Sequence, residues 1–186
     1  MSTPKQYDAI VIGTGQAGKP LAGALASAGW KTAIIERDRV GGTCVVAGCT
    51  PTKTMVASAR VAYVAGRGAQ YGVRTGPISI DMEVVRRKKR DIVDSWSAGS
   101  QKGLERHELL DLLLGDARFT GRHEITVESA DEGSRVLTAE KIFINVGARP
   151  YLPPLPGLDS VSFLDSTSVM ELGEVPDHLV ILGGGS

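Results

Sequence analysis

Cys44 and Cys49 are the only cysteines in the 186-residue chain, and they sit in Gly41-Gly42-Thr43-Cys44-Val45-Val46-Ala47-Gly48-Cys49-Thr50-Pro51-Thr52-Lys53. On a regular helix this spacing would hold the two Cα atoms about 8 to 9 Å apart, given the helical rise and radius. A disulfide spans about 4.4 to 6.8 Å. A bridge therefore predicts irregular backbone between the cysteines, which Gly48 eases by tolerating unusual dihedrals. As a structural staple, so small a ring would remove only about 2 kcal/mol of unfolded-chain entropy. A zinc site needs about four ligands, and His107, His123 and His178 have no ligand-like spacing to the cysteines. The pair reads as catalytic or redox-sensing.

A second constellation precedes it. Gly13-Thr14-Gly15-Gln16-Ala17-Gly18 is a GxGxxG loop between a strand pattern and a helix pattern. The first glycine makes the turn, the second admits a pyrophosphate to the backbone, and the third lets helix and strand pack. The helix amino terminus favours the negative charge. Glu36 ends the next strand, where a carboxylate can accept hydrogen bonds from a ribose or simply face solvent. Thr14 and Gln16 can be simple loop fillers. Lys53 is either a surface helix lysine or a cation beside a thiolate.

Positioning these residues requires a βαβ unit. Tyr7–Ile12 is a nearly continuous apolar run, as in a parallel strand covered on both faces. Ala17, Leu21, Ala24, Leu25 and Ala28 recur at helical spacing before Gly29, and Lys31–Glu36 reads as the next strand. After the cysteine loop, Thr50 can cap and Pro51 open a helix to about Gly66, with Val56, Ala59, Ala62 and Tyr63 as its expected buried face. A further helix starts near Ser79 or Asp81 and carries Met82, Val85, Ile92, Val93 and Trp96. Its cluster Arg86-Arg87-Lys88-Lys89-Arg90 reads as a solvated face rather than a nucleic-acid footprint. Leu109–Val136 has the pattern of short antiparallel strands. Lys141–Asn145 returns as an apolar strand, Pro153, Pro154 and Pro156 stiffen a connector, and His178–Ser186 repeats the opening strand and glycine loop.

Composition narrows the class. Twenty-one Lys and Arg balance 21 Asp and Glu, so no bias toward nucleic acid follows. No signal-peptide pattern opens the chain and no apolar run reaches membrane length, so a cytoplasmic protein is the expectation. The abundance of glycine, 23 residues, suits an α/β protein with tight turns against phosphates.

Taken together, these residues closely resemble the pyridine nucleotide-disulfide oxidoreductases of the group containing dihydrolipoyl dehydrogenase, glutathione reductase and mercuric reductase. The resemblance rests on GGTCVVAGCTPTK, which matches a GGTCxxxGCxPxK pattern, on GTGQAG with Glu36, on INVGARP, and on the closing GGGS. It is nearest in look to mercuric-reductase-like members. It implies an α/β fold: a Rossmann-like FAD-binding domain over 1–150, with parallel sheet, helices and an antiparallel excursion. Residues 151–186 would be a connector and the first strand of an NAD(P)-binding domain, broken off in mid-motif.

The resemblance also implies that electrons pass from NADPH or NADH to FAD, then to a Cys44–Cys49 disulfide, then to a small-molecule or protein disulfide, a lipoyl group or a metal ion. Cys49 would be the thiol facing the flavin, in a charge-transfer thiolate, and Cys44 the interchange thiol. Lys53 would lie near the flavin ring. Gly13, Gly15, Gln16, Ala17 and Gly18 would surround the pyrophosphate, Glu36 the ribose, and Gly42, Thr43 and Gly147 other parts of the cofactor. The parent would be a homodimer, with its general acid-base residues beyond Ser186. A non-catalytic dinucleotide-binding module with a redox-sensing cysteine pair is the alternative.

Overall fold

The computed structural model describes residues 4–131 and 133–184. β1 (Lys5–Ile12) runs into the glycine loop and α1 (Gly18–Ser27), and β2 (Thr32–Glu36) follows. α2 (Gly42–Val46) and α3 (Cys49–Gly66) carry the two cysteines, and α4 (Met82–Glu105) begins at Asp81, whose carboxylate accepts the Val84 amide at 3.1 Å. Then come β3 (Leu110–Leu114), β4 (Asp116–Gly121), β5 (Glu124–Ser129) and β6 (Gly133–Ile144). The strand order is β3-β2-β1-β6-β5-β4; β3, β2, β1 and β6 are parallel, and β6-β5-β4 antiparallel.

Strand alternation fills both faces of the parallel part. Ile10, Ile12, Ala33, Ile35 and Leu113 pack with Ile125, Val127 and Leu137 of the antiparallel strands. Val11, Ile34 and Leu110 pack with Ala22 and Ala26 of α1 and Leu104 of α4. The result is three layers: helices, parallel sheet, antiparallel meander. Each fully buried Ile or Leu in them contributes about 2 to 3 kcal/mol by removal from water.

Several elements differ from the sequence pattern. Leu110–Leu114 is a parallel strand beside β2, not part of the antiparallel excursion, because Leu110 and Leu112 face the helices and Leu113 the meander. A strand buried on both sides does not alternate, which is what obscured it. On α1 the inward positions are Gly18, Ala22 and Ala26, while Ala17, Ala24 and Ala28 are exposed. α3 starts at Cys49, and it buries Thr50, Pro51 and Thr54 while exposing Val56, Ala59 and Tyr63. On α4 the buried stripe includes Lys89, Val93, Ser97 and Leu104, and Trp96 faces solvent. Leu179–Leu182 is exposed and forms no strand; an extended segment without a partner edge gains no ladder hydrogen bonds. Gly185 and Ser186 of the second glycine loop lie outside the described residues.

The basic cluster is not simply a solvated face. Lys89 is 3% exposed, and its ammonium donates to the Met170 carbonyl at 2.9 Å and to the Glu171 carboxylate. Arg90 donates to the same carboxylate at 2.6 Å and Arg86 to the Glu171 carbonyl at 3.0 Å. These cations hold the 3₁₀ turn Ser168–Glu171 against α4, and Met170 is buried with its sulfur 3.9 Å from the Thr52 hydroxyl of α3. Burying Lys89 is tolerable only because it is paired.

Gly115 turns the chain from β3 into β4. A Cβ there would lie 2.5 Å from the Glu128 carbonyl oxygen and 2.9 Å from Val127 Cγ1. We expect Gly115→Ala to destabilise the fold by about 1 to 3 kcal/mol through overpacking, read as a lower denaturant midpoint. Glu171 is held below the ordinary carboxylate value of 4.5 by Lys89, then Arg90, against an opposing effect of burial. Its stabilisation is present above that value and is lost as pH falls through the depressed folded value. The stability gap between the natural chain and Glu171→Gln should therefore be about 1 to 2 kcal/mol at neutral pH, below the full cost of breaking a buried pair because Glu171 is half-exposed. Denaturation at descending pH should show it narrowing.

Candidate redox and nucleotide site

The site lies at the carboxyl ends of β1, β2 and β6, where parallel α/β sheets bind ligands. Gly13 has φ +101, and a Cβ on it would stand 2.3 Å from the Asn145 carbonyl oxygen. A Cβ on Gly18 would be 2.2 Å from the Gly13 carbonyl oxygen and 2.6 Å from Asn145 Nδ2. Only glycine fits at either position. Asn145 itself donates its backbone amide to the Ile12 carbonyl at 2.8 Å and its Nδ2 to the Gly13 carbonyl at 3.3 Å. It buttresses the loop from β6, a role that sequence reading missed because the partners are 132 positions apart.

Thr14 is fully buried. Its amide and hydroxyl both donate to Glu36 Oε2, at 3.0 and 2.5 Å, and its hydroxyl oxygen accepts the Gly41 amide at 3.0 Å. Thr14 is thus a tie between three loops rather than a filler. Glu36 also accepts the Asp38 amide on Oε1 at 3.2 Å. A carboxylate offers about four acceptor sites, so Glu36 retains capacity for a further donor. Gln16 and Ala17 are exposed at the head of α1. Gly147 lies just past β6 with φ +69 and an open surround.

The cysteine loop is laid directly on the glycine loop. Gly42 has φ +64, and a Cβ on it would lie 2.5 Å from Gly15 Cα. Ser97 of α4 holds the same loop from below, donating to the Val40 carbonyl at 2.7 Å. Between the cysteines the helix breaks at Ala47 (φ −141, ψ 16) and Gly48 (φ −133, ψ −109). A Cβ on Gly48 would be 2.8 Å from the Thr43 carbonyl oxygen and 3.4 Å from Cys44 Cα, so glycine lets α3 close on α2. The backbone between the cysteines is thus irregular, as a bridge between them would need.

Both cysteines are free thiols here, Cys49 exposed at the head of α3 and Cys44 partly covered in α2. The Cys49 thiol beside it, with burial adding to the effect, raises the Cys44 thiol above its ordinary value, and Lys53 opposes the rise. Thr43 and Lys53 are exposed beside the pair, on α2 and in the second turn of α3. The structure brings the loops carrying Cys44 and Cys49, the glycine loop and Glu36 together at the carboxyl ends of the parallel strands, and adds Thr14 and Asn145 to them.

A model of the family described as pyridine nucleotide-disulphide oxidoreductase matches residues 7–186. The chain belongs to that family. It is 37% identical over 183 residues to "Probable pyridine nucleotide-disulfide oxidoreductase RclA" of Escherichia coli (strain K12), covering 97% of this chain and 37% of that protein. It is 32% identical to the dihydrolipoyl dehydrogenase of Bacillus subtilis (strain 168), covering 97% of this chain and 40% of the relative. Against the mercuric reductase of Bacillus cereus it is 33% identical, covering 96% and 28%. The solved structure of the HOCl-induced flavoprotein disulfide reductase RclA from Escherichia coli superposes with a TM-score of 0.80, at 36% identity over 96% of this chain and 37% of that one. The chain thus spans about two fifths or less of the length of these relatives.

FAD and NAD(P)H are the cofactors of the family. The residues of this chain fit a dinucleotide: the loop Gly13–Gly18 presents bare backbone, and the amides at the head of α1 stand where a helix leaves them without an intrahelical acceptor. No helix among the described residues is long and apolar enough to cross a membrane.

Two outcomes follow from this geometry. Removing the neighbouring sulfur in Cys49→Ala should move the pH profile of Cys44 alkylation by iodoacetamide toward lower pH, since the group that most raises the Cys44 thiol is gone. Thr14→Val should cost about 1 to 3 kcal/mol, measured by chemical denaturation, because it leaves the Gly41 amide and Glu36 short of a buried partner.

Proposed function

We propose that this chain is the FAD-binding portion, residues 1–150, of a disulfide reductase, followed in 151–186 by a connector and the start of an NAD(P)-binding domain. The whole enzyme would pass electrons from NADPH or NADH through FAD to a Cys44–Cys49 disulfide, and on to a disulfide or a metal ion. The observation that carries this reading is the break at Ala47 and Gly48, which folds the head of α3 back on α2 and so brings two cysteines five positions apart together beside the glycine loop. A plain dehydrogenase has no use for such a pair.

Bound FAD would supply a two-electron carrier between the nicotinamide and the disulfide. The protein's part is to hold it and to handle sulfur and protons. The Gly13–Gly18 backbone and the head of α1 would take the pyrophosphate, Glu36 the ribose through its spare acceptor sites, and Gly42, Thr43 and Gly147 would line the remainder. Cys49, at the positive end of α3, would be the sulfur on the cofactor side. Lys53 would add positive charge there.

Two electrons and two protons convert the disulfide to two thiols. In the return half, the Cys44 thiolate attacks a substrate disulfide, forming a mixed disulfide and releasing one thiolate. The Cys49 sulfur then attacks Cys44, re-forming the internal bond and releasing the second. A pair of soft sulfurs also suits thiophilic metal ions. Relatives named mercuric reductase, and an RclA structure described as a Cu(II) complex, support the metal-ion arm; dihydrolipoyl dehydrogenases support a lipoyl disulfide.

The parent is read as a cytoplasmic homodimer. Val56, Val61, Tyr63 and Val64 on α3, all more than half exposed, are the apolar face that a second subunit would cover.

Purified chain should retain FAD at about one per chain after washing, and its thiol count should fall from two to none on reaction with oxidised dithiothreitol and return on reduction. Cys44→Ser should hold that count at one. A chain that retains FAD but keeps two thiols under oxidant would reduce the protein to a nucleotide-binding module. Failure to hold FAD, repeated in a chain extended past Ser186, would remove the flavin assignment.

A further inference from the structure

Residues 165–171 have no place in the proposed reaction, yet they fold into a turn that reaches the cysteine helix. Asp165 orders the turn: one carboxylate oxygen accepts the Thr167 amide at 2.9 Å, the Ser168 amide at 2.7 Å and the Ser168 hydroxyl at 2.8 Å. Its far end is divided between two helices. Glu171 goes to α4, where Lys89 and Arg90 donate to its carboxylate and Arg86 to its carbonyl. Met170, 8% exposed, goes to α3, where the Thr52 hydroxyl lies 3.9 Å from its sulfur.

Thr52 stands one turn after Cys49 and next to Lys53. Its amide donates to the Gly48 carbonyl at 3.0 Å, and a Cβ on Gly48 would stand 3.4 Å from Cys44 Cα. Contacts therefore run without a gap from Glu171 through Met170 and Thr52 to the break between the cysteines. The other side of that break is held by α4 as well. Lys89, Val93 and Ser97 form one buried stripe at four-residue spacing, and Ser97 bonds the Val40 carbonyl in the loop that leads to Cys44.

We propose that the 165–171 turn is a clamp that positions Cys49 against Cys44 and thereby sets the equilibrium between dithiol and disulfide. The proposal rests on the reading of the two cysteines as a redox pair. Met170 and Glu171 are positioning residues, acting through Thr52 rather than on the sulfurs. The head of α3 needs such a support because its cap residue, Gly48, offers no side-chain hydrogen bond. A helix start without a cap is held from outside or frays. The clamp is firm because Lys89, 3% exposed, cannot give up its carboxylate without leaving a buried charge unpaired.

The test equilibrates the full chain anaerobically across ratios of reduced to oxidised glutathione and reads the fraction of internal disulfide by acid quench and thiol alkylation. As the chain's two thiols become one S–S bond, the S–S bond of oxidised glutathione breaks, and its sulfurs take up the two electrons and two protons as two thiols. Met170→Ala should lower the equilibrium constant for the internal disulfide about three- to tenfold, because the second sulfur is presented at a lower effective concentration. Met170→Leu, which refills the volume, should restore most of it. Glu171→Gln should shift the constant in the same direction, and the double variant with Met170→Ala should fall short of the two effects combined, since both act through one contact. Ile125→Val, in the core on the other side of the sheet from α4, should leave the constant unchanged. Superimposed titrations of the natural chain, Met170→Ala and Glu171→Gln, or an equal shift in Ile125→Val, would overturn the proposal and leave the turn a structural strap. A natural chain that forms no internal disulfide at any ratio would remove the redox reading and the clamp with it, so the natural chain alone tells the two failures apart. Far-ultraviolet circular dichroism verifies that each variant is folded.

Discussion

The Thr14 hydroxyl, buried and saturated, is the constraint on which the site depends. It donates to Glu36 at the end of β2 and accepts from Gly41 at the entrance to the cysteine loop, while its own backbone forms part of the glycine loop. Three segments that could each drift by an ångström are thereby locked to one oxygen atom. Buried polar networks of this kind are stable only when every member is satisfied. Here the carboxylate, hydroxyl and amides all find partners.

Glycine contacts supply the complementary constraint, which is steric. Gly13, Gly18, Gly42 and Gly48 each stand where a methyl group would strike backbone. The first two press the head of α1 against β6, the third seats the cysteine loop on the nucleotide loop, and the fourth closes α3 on α2. The cysteine loop and the glycine loop are therefore one packed object. A displacement of the glycine loop would be transmitted to Cys44 through Gly15 and Gly42.

The candidate site was legible in sequence because its residues are local. Cys44, Cys49 and Lys53 fall within ten residues, and the loop Gly13–Gly18 with Glu36 within one βαβ unit. What was not legible depends on long-range geometry. Asn145 gains its role from a residue 132 positions away. Lys89 reads as surface charge until Met170 and Glu171 fold over it. Val56 and Tyr63 fit the inward stripe of a helix by periodicity, yet the stripe that this chain buries is set by Pro51 and Thr54 at the other end of α3. The strand β3, at the edge of the sheet, escapes the sequence pattern because Leu110 and Leu113 are buried on opposite faces, which erases the alternation of a one-sided strand.

The pairing of β1 with β6 has a consequence for how the molecule is made. Gly13 and Asn145 complete one loop, but on the ribosome they emerge far apart in time. At about 5 to 20 residues per second, the amino-terminal half of the nucleotide loop waits roughly 10 seconds for the residue that shapes it. In that interval β1 has only β2 to pair with, and its other edge is open. The slowest, most non-local contact in the sheet is also the one that finishes the cofactor site, so a nascent chain cannot take up its dinucleotide until the central strand is in place.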